Sequence, residues 1–135
     1  MLTNRSMPNS VVIPVLRYPD VAAATDWLCR AFSFTLHLRI ASHRAQLNAG
    51  EGAVVIREGR RGADAQQCYS VMVRVEDVDS HHARAIQHGA RVLSPPADYP
   101  YGERQYSVED FAEHHWTFSQ SVADVDPKDW GGTPG

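Results

Sequence analysis

The sequence has 135 residues, 43% of them apolar, which suffices for one compact core but is too short for two ordinary domains. Thirteen lysine and arginine residues against sixteen aspartate and glutamate residues give a net charge of −3, so we expect neither nucleic acid nor a membrane surface as a partner. Only two cysteines occur, and with no leader-like or membrane-spanning apolar run they favour a cytoplasmic protein.

A seven-residue pattern occurs twice and divides the chain into two modules. Residues 15–21 and 72–78 share two apolar residues, an arginine, two variable positions, an aspartate and a valine. A repeat this long in so short a chain indicates two similar supersecondary units, because a solenoid needs at least about three repeats. The sequence predicts one domain made of module one over about 10–57, a linker over 58–67, module two over about 68–120 and a flexible tail over 121–135.

Each repeated segment has the pattern of a strand that leads into a helix. Asp20 and Asp77 end the two apolar segments, and their carboxylates suit the N-cap position of a helix. Apolar residues after each aspartate recur at three- and four-residue steps, which is typical of an amphipathic helix. Gly89 is expected to end the second helix.

Strands complete both modules, so the predicted fold class is α+β with two βαβββ modules in tandem. Residues 34–40 alternate between apolar and polar side chains, which predicts a strand with one packed face. Two short strands follow, at 45–49 and 53–57. In module two we expect strands at 91–93, 104–108 and 115–119, and a proline-rich loop over 95–102.

The run from Tyr101 to Asp110, continuing into His114 to Phe118, resembles the vicinal oxygen chelate superfamily of glyoxalases, bleomycin resistance proteins and dioxygenases. The repeated strand, aspartate and helix support the same resemblance, which covers about residues 10–120. It implies that the two modules form a curved mixed sheet with a concave cavity. It also implies that two chains associate as a homodimer.

The same resemblance allows the metal positions to be compared. Metal-dependent members carry a His or Gln on the first strand of each module and a Glu or similar ligand on each last strand. The matching positions here are Ile13, Ser70 and Thr117, and residues 53–56 offer no ligand. A catalytic metal needs about three protein donors, so we expect no metal and no cofactor. The resemblance thus implies a protein that binds or sequesters a small molecule.

Strand alternation and loop position select the residues that would line the cavity. Arg39 with His37 suits an anionic or hydrogen-bonding ligand, and Tyr99 and Tyr101 suit stacking on a planar one. The predicted ligand-binding residues are His37, Arg39, Ser70, Met72, Tyr99, Tyr101, His115 and Thr117.

Two other functions stay open. One is an enzyme of lyase, transferase or dioxygenase type that uses a nonstandard metal set such as His37 with His115, or acid–base chemistry from His115. The other is a structural or interaction domain whose cavity is filled by its own side chains.

Several further residues are assigned structural roles. We expect Arg104 to pair with Asp110, and Cys29 and Cys68 to fill apolar space. Trp130 is the tail residue best suited to docking on the body of the protein.

Overall fold

The computed structural model describes residues 2, 4–59 and 70–134. The chain divides into two compact units, Met1–Gln67 and Cys68–Gly135, and each contains one four-stranded sheet and one α-helix. Most of the expected linker, together with Cys68, lies outside the described residues. Within the described part of the chain, no helix is long and apolar enough to span a membrane.

The first unit has the predicted order βαβββ. Its sheet order is β1-β4-β3-β2, with β1 parallel to β4 and the other neighbours antiparallel. The elements are β1 (Val15–Tyr18), α1 (Val21–Phe32), β2 (Thr35–Ile40), β3 (Arg44–Ala49) and β4 (Gly52–Glu58).

The second unit repeats this arrangement, which confirms the two βαβββ modules. Its sheet order is β5-β8-β7-β6, and here β5 and β8 are the parallel pair. A short 3-10 helix (Pro127–Trp130) follows the last strand. The other elements are β5 (Val71–Arg74), α2 (Val78–Gln87), β6 (Arg91–Tyr99), β7 (Glu103–Glu109) and β8 (His115–Ser121).

Both helices begin at the predicted aspartates, because the first turn of a helix leaves amides without intrahelical partners. Asp20 accepts a hydrogen bond from the Ala23 amide at 3.0 Å. Asp77 accepts from the amide of Ser80 at 3.1 Å and from its hydroxyl at 2.8 Å. The hydrogen bonds from the Ser80 amide and hydroxyl lower the pKa of the Asp77 carboxyl.

Aromatic packing forms much of the core of the second unit. The rings of Tyr106, Trp116 and Phe118 are fully or almost fully buried. Phe118 lies 4.0 Å, between ring centroids, from His81 on α2, and Tyr106 lies 5.2 Å from His82 on the same helix. These side chains therefore face α2, as strand alternation predicted for Trp116 and Phe118.

β6 is longer than the sequence suggested. A short strand at 91–93 and a proline-rich loop were expected, but the strand runs through Pro95 and Pro96 to Tyr99. β6 is an edge strand, so a proline on its free side removes no ladder hydrogen bond. Two register shifts along its pairing with β7 accommodate the irregular backbone.

β2 also departs from its predicted packing. The apolar side chains of residues 34–40 were expected to share a packed face, and Phe34 is indeed buried. Leu36 and Ile40 are 40% and 37% exposed in this chain. The register against β3 shifts between Leu36 and Leu38, so residues on either side of the shift no longer alternate as one series.

The predicted pairing of Arg104 with Asp110 is wrong. Strand alternation turns Arg104 toward α2, and it pairs with Asp79 on that helix at 2.9 Å and with Asp98 on β6 at 3.2 Å. Asp110 is buried in the turn after β7. It accepts hydrogen bonds from the indole of Trp116 at 3.0 Å and from the amides of Ala112 and His114 at 2.9 and 3.0 Å.

Replacing Asp110 tests the importance of this turn. We expect Asp110→Ala to lower the free energy of unfolding by about 2–3 kcal/mol, because buried donors lose their acceptor. Asp110→Asn keeps one acceptor oxygen, so its loss should be clearly smaller. Urea denaturation followed by circular dichroism measures both. Equal stability of wild type and Asp110→Ala would show that the turn does not depend on the carboxylate.

Candidate functional site

The side of the second sheet that faces away from α2 carries a continuous set of polar side chains, which we call the polar face. It arises because successive side chains of a strand point to opposite sides, and the alternate residues of β7 and β8 pack under α2. The register of the sheet places these side chains next to one another across β5, β8 and β7. The polar face consists of Arg74, Glu103, Gln105, Ser107, Glu109, His115, Thr117, Ser119 and Ser121, together with Arg91 of β6, which is paired with Glu109.

Cross-strand pairs connect one end of the polar face. The hydroxyls of Ser107 and Thr117 lie 2.9 Å apart. His115 Nε2 lies 3.0 Å from Glu109 Oε2, and Arg91 on the edge strand lies 3.7 Å from the other oxygen of that carboxylate. The carboxylate thus fixes the orientation of the imidazole ring.

A chain of hydrogen bonds runs along the other end of the polar face. The hydroxyl of Tyr101 donates to Gln105 Oε1 at 3.1 Å, and Gln105 Nε2 donates to Ser119 Oγ at 3.0 Å. Ser119 Oγ in turn donates to Glu103 Oε1 at 2.7 Å. We call this set of four residues the polar chain.

The charge of Glu103 is favoured by its surroundings. Hydrogen bonds from the hydroxyl of Ser121 and, to a smaller degree, from that of Ser119 lower the pKa of the Glu103 carboxyl. The positive charge of Arg74 also lowers this pKa, whereas partial desolvation raises it. At pH values above the ordinary carboxyl pKa, the lowered pKa of Glu103 stabilises the folded state. That stabilisation is lost as the pH falls through the lowered value.

Three aromatic residues lie beside the polar chain, and we call them the aromatic cluster. The rings of Tyr99 and Tyr101 stack at 5.5 Å with an interplanar angle of 14°. Trp130 contacts Tyr101 at 5.3 Å, so the tail residue proposed to dock does reach the body of its unit. Tyr99 and Trp130 remain 38% and 46% exposed.

Gly102 holds the start of the tail next to this cluster. Its carbonyl accepts hydrogen bonds from the amides of Val122 and Ala123 at 2.9 and 3.3 Å. Gly102 has a φ of 82°, and a Cβ there would lie 2.5 Å from the Ala123 carbonyl oxygen. Only glycine therefore allows this approach without a shift of the backbone.

The structure places the predicted ligand-binding residues of module two in two groups at opposite ends of the polar face, with Ser70 apart from both. His115 and Thr117 lie on the polar face, and Met72 is paired directly opposite Thr117 on the neighbouring strand. Tyr99 ends β6 and Tyr101 occupies the turn that follows it. Ser70 is exposed immediately before β5.

β2 does not keep the regular alternation from which His37 and Arg39 were predicted to line the cavity. His37 lies at the register shift in β2, and after the shift Arg39 pairs with the buried Ala45. Arg39 therefore lies on the α1 side of the sheet. Burial and the Asp26 charge raise the pKa of Cys29 on α1, and the Arg39 charge opposes them, as expected for an arginine near this helix. Ligand binding by His37 and Arg39 stays a prediction.

The sequence did not predict the polar chain, nor the buried polar residue Gln46 of the first unit. Alternate polar residues from Glu103 to Glu109 were a usable signal, but the cross-strand partners depend on register. In the first unit, Gln46 is 4% exposed and donates to the Ser6 carbonyl at 3.0 Å. Its Oε1 has no hydrogen-bond partner among the described residues.

The residues at the metal positions do not suit a metal ion. Ile13 has no donor atom, the Thr117 hydroxyl is bonded to Ser107, and Val54 to Ile56 are buried apolar residues. Within residues 2, 4–59 and 70–134 no group of three or more histidine, cysteine, aspartate or glutamate side chains is arranged to hold a metal. His37 and His115, proposed as a nonstandard pair, belong to different units.

Comparison with known proteins supports the fold independently. The structure of TioX from Micromonospora sp. ML1 matches with a TM-score of 0.71 and 36% identity, covering 87% of this chain and 100% of that chain. The fosfomycin resistance protein FosX from Mesorhizobium loti matches with a TM-score of 0.64 over 84% of this chain and 93% of its own. At 19% identity, the second match shows likeness of fold alone.

Sequence relatives give a narrower match. An uncharacterized protein of Mycobacterium bovis is 36% identical over 56 residues, which are 42% of this chain and 37% of that relative. The match thus spans well under two thirds of the relative's length. A family model matches residues 9–126, which is most of the chain. The protein therefore belongs to the Glyoxalase/Bleomycin resistance protein/Dioxygenase superfamily.

Proposed function

We propose that the protein binds or sequesters a small molecule at the polar face and the aromatic cluster, without a metal. The observation that carries this proposal is the contact between the two: the hydroxyl of Tyr101, in the aromatic cluster, donates to Gln105 of the polar face at 3.1 Å. Exposed rings beside converging hydroxyl, amide and carboxylate groups are typical of sites that recognise small molecules. The unsuitable residues at the metal positions favour binding over metal-dependent chemistry.

The proposed ligand has a planar part and hydrogen-bonding groups. Tyr99 and Trp130 offer exposed ring surface for stacking. Arg74 and Arg91 are balanced by Glu103 and Glu109, so the polar face carries no net positive charge that would favour an anion. Of the anionic and hydrogen-bonding ligands expected from the sequence, this balance favours the hydrogen-bonding one, and Arg39 lies on the α1 side of the first sheet.

The names of the relatives are consistent with a resistance or sequestration role. FosX is described as a fosfomycin resistance protein, and bleomycin resistance proteins give the superfamily part of its name. We propose the same resistance or sequestration role for the present chain, which would act in the cytoplasm as a homodimer.

The proposed homodimer is tested by its mass in solution. Sedimentation equilibrium should give twice the chain mass of 15.0 kDa. A purely monomeric protein at micromolar concentration would contradict the dimer.

An enzyme that uses acid–base chemistry is the second candidate. The contact of His115 with Glu109 at 3.0 Å favours it, because a carboxylate that orients an imidazole is a common arrangement for a general base. Such an enzyme would convert the bound molecule, and His115→Ala would abolish conversion while leaving stacking intact. A binding protein would return the ligand unchanged, as mass spectrometry of the mixture would show.

Stacking is tested by removing the exposed rings. For a planar compound found by a thermal-shift screen, we expect Tyr99→Ala and Trp130→Ala each to weaken binding about five- to tenfold, the value of one good aromatic contact. Isothermal titration calorimetry measures the dissociation constants. Phe111→Ala is the matched control, because Phe111 is an exposed aromatic residue in the turn after β7. Unchanged affinity in both cluster variants would place the ligand elsewhere.

Metal content tests the other half of the proposal. After incubation with nickel, manganese, zinc and iron followed by desalting, we expect far less than one ion per chain, since Ile13, Ser70 and Thr117 are poor ligands. Inductively coupled plasma mass spectrometry gives the ratio. Retention of nearly one ion per chain would contradict a metal-free site, and loss of that ion in His115→Ala would identify the polar face as its location.

A further inference from the structure

The polar chain links a charged carboxylate to an aromatic hydroxyl through two uncharged side chains. Glu103, Ser119, Gln105 and Tyr101 are joined by consecutive contacts of 2.7, 3.0 and 3.1 Å. Glu103 lies on the polar face, whereas Tyr101 belongs to the aromatic cluster. Each contact needs one donor and one acceptor, so the direction of one bond constrains the next.

Glu103 determines that direction. An ionised carboxylate has no proton to donate, so Ser119 must donate to it. Ser119 has a single hydroxyl proton and therefore accepts from the amide nitrogen of Gln105. The carbonyl oxygen of Gln105 then points to Tyr101, whose hydroxyl is the donor. Hydroxyl donation by Ser121 and Ser119 and the nearby Arg74 charge keep the pKa of Glu103 below its usual range.

We infer that Glu103 is a specificity-determining residue that makes Tyr101 a hydrogen-bond acceptor toward the ligand. The only hydroxyl proton of Tyr101 is used within the polar chain, so its oxygen offers lone pairs alone. The site selects planar molecules that carry an N–H or O–H donor at their edge, and it rejects shape-matched molecules that carry only an acceptor there. This inference rests on the proposed function and specifies its ligand class.

The geometry of the cluster supports this selection. Tyr99 stacks on Tyr101, and Trp130 contacts Tyr101 at an interplanar angle of 58°. The exposed surfaces of Tyr99 and Trp130 thus flank the Tyr101 ring, and the proposed ligand packs against these surfaces with its edge toward the Tyr101 oxygen. A ligand acceptor placed at the Tyr101 oxygen would meet another acceptor, which loses a hydrogen bond to water without replacing it.

Indole and benzofuran provide the test, because they share a shape and differ in one N–H group. Protein-observed NMR titration of the full chain measures both dissociation constants. We expect wild type to prefer indole about five- to tenfold, the value of one hydrogen bond. Glu103→Gln should reduce the preference below about twofold, because an amide both donates and accepts, and so no longer fixes the direction of the chain.

Glu76→Gln is the matched control. It removes the same charge from the same unit at an exposed position before α2, outside the polar chain. We expect it to keep the full preference for indole. Without any ligand, the side-chain amide signals of Gln105 should move in Glu103→Gln and stay in place in Glu76→Gln. A change in overall stability alone would not produce this pattern.

The outcomes separate this inference from the proposed function. If wild type binds indole and benzofuran equally and Tyr99→Ala weakens the binding of both, the selection for a donor is overturned and the stacking site is retained. A preference that survives in Glu103→Gln, or Gln105 signals that do not respond, would overturn the role of Glu103. Failure of both compounds to bind at millimolar concentration would overturn the binding site together with its selectivity.

Discussion

The packing of three aromatic rings under α2 holds the second sheet in a single register. Tyr106, Trp116 and Phe118 are buried, and the indole of Trp116 is bonded to the buried carboxylate of Asp110. A slip by one residue would expose these rings and bury polar side chains, so the register is strongly favoured. The polar face follows directly, because the residues between the buried rings have only the other side of the sheet available. The polar face is thus a consequence of the core.

The residues of that surface differ from the metal ligands that the family resemblance implies at the same positions. The side chain of Thr117, at a metal position, instead bonds Ser107 across the strands. The charges of the polar face are balanced, and its hydroxyl and amide groups bond one another. Such a surface is suited to recognising the pattern of donors and acceptors on a ligand more than its net charge. In the proposed site, Glu103 would act at a distance, since its charge orients the hydrogen-bonding groups that lead to Tyr101.

Two of the edge strands, β2 and β6, show where a sequence pattern misleads. Alternation along residues 34–40 predicted one cavity-facing row, but the register shift at His37 moves Arg39 to the α1 side. In β6, prolines suggested a loop, yet the strand continues because its outer edge needs no donor. A prediction from hydrophobic periodicity assumes that every residue of the strand pairs regularly. A bulge breaks this regular pairing, and nothing in the composition of the strand indicates it. Both differences therefore lie in pairing, which a single strand does not encode.

The sequence by itself determined the two βαβββ modules, their capping aspartates and the side-chain alternation of β8, because these depend on residues close together in the chain. It also determined that Ile13, Ser70 and Thr117 stand where the family resemblance implies metal ligands, and it predicted Tyr99, Tyr101, His115 and Thr117 as ligand-binding residues. Only the tertiary structure decided that Arg104 pairs with Asp79 and Asp98, and that Trp130 joins the tyrosines. It alone linked Glu103 to Tyr101. Contacts of this kind depend on strand register and on the path of the tail, which are set when distant segments pack against each other.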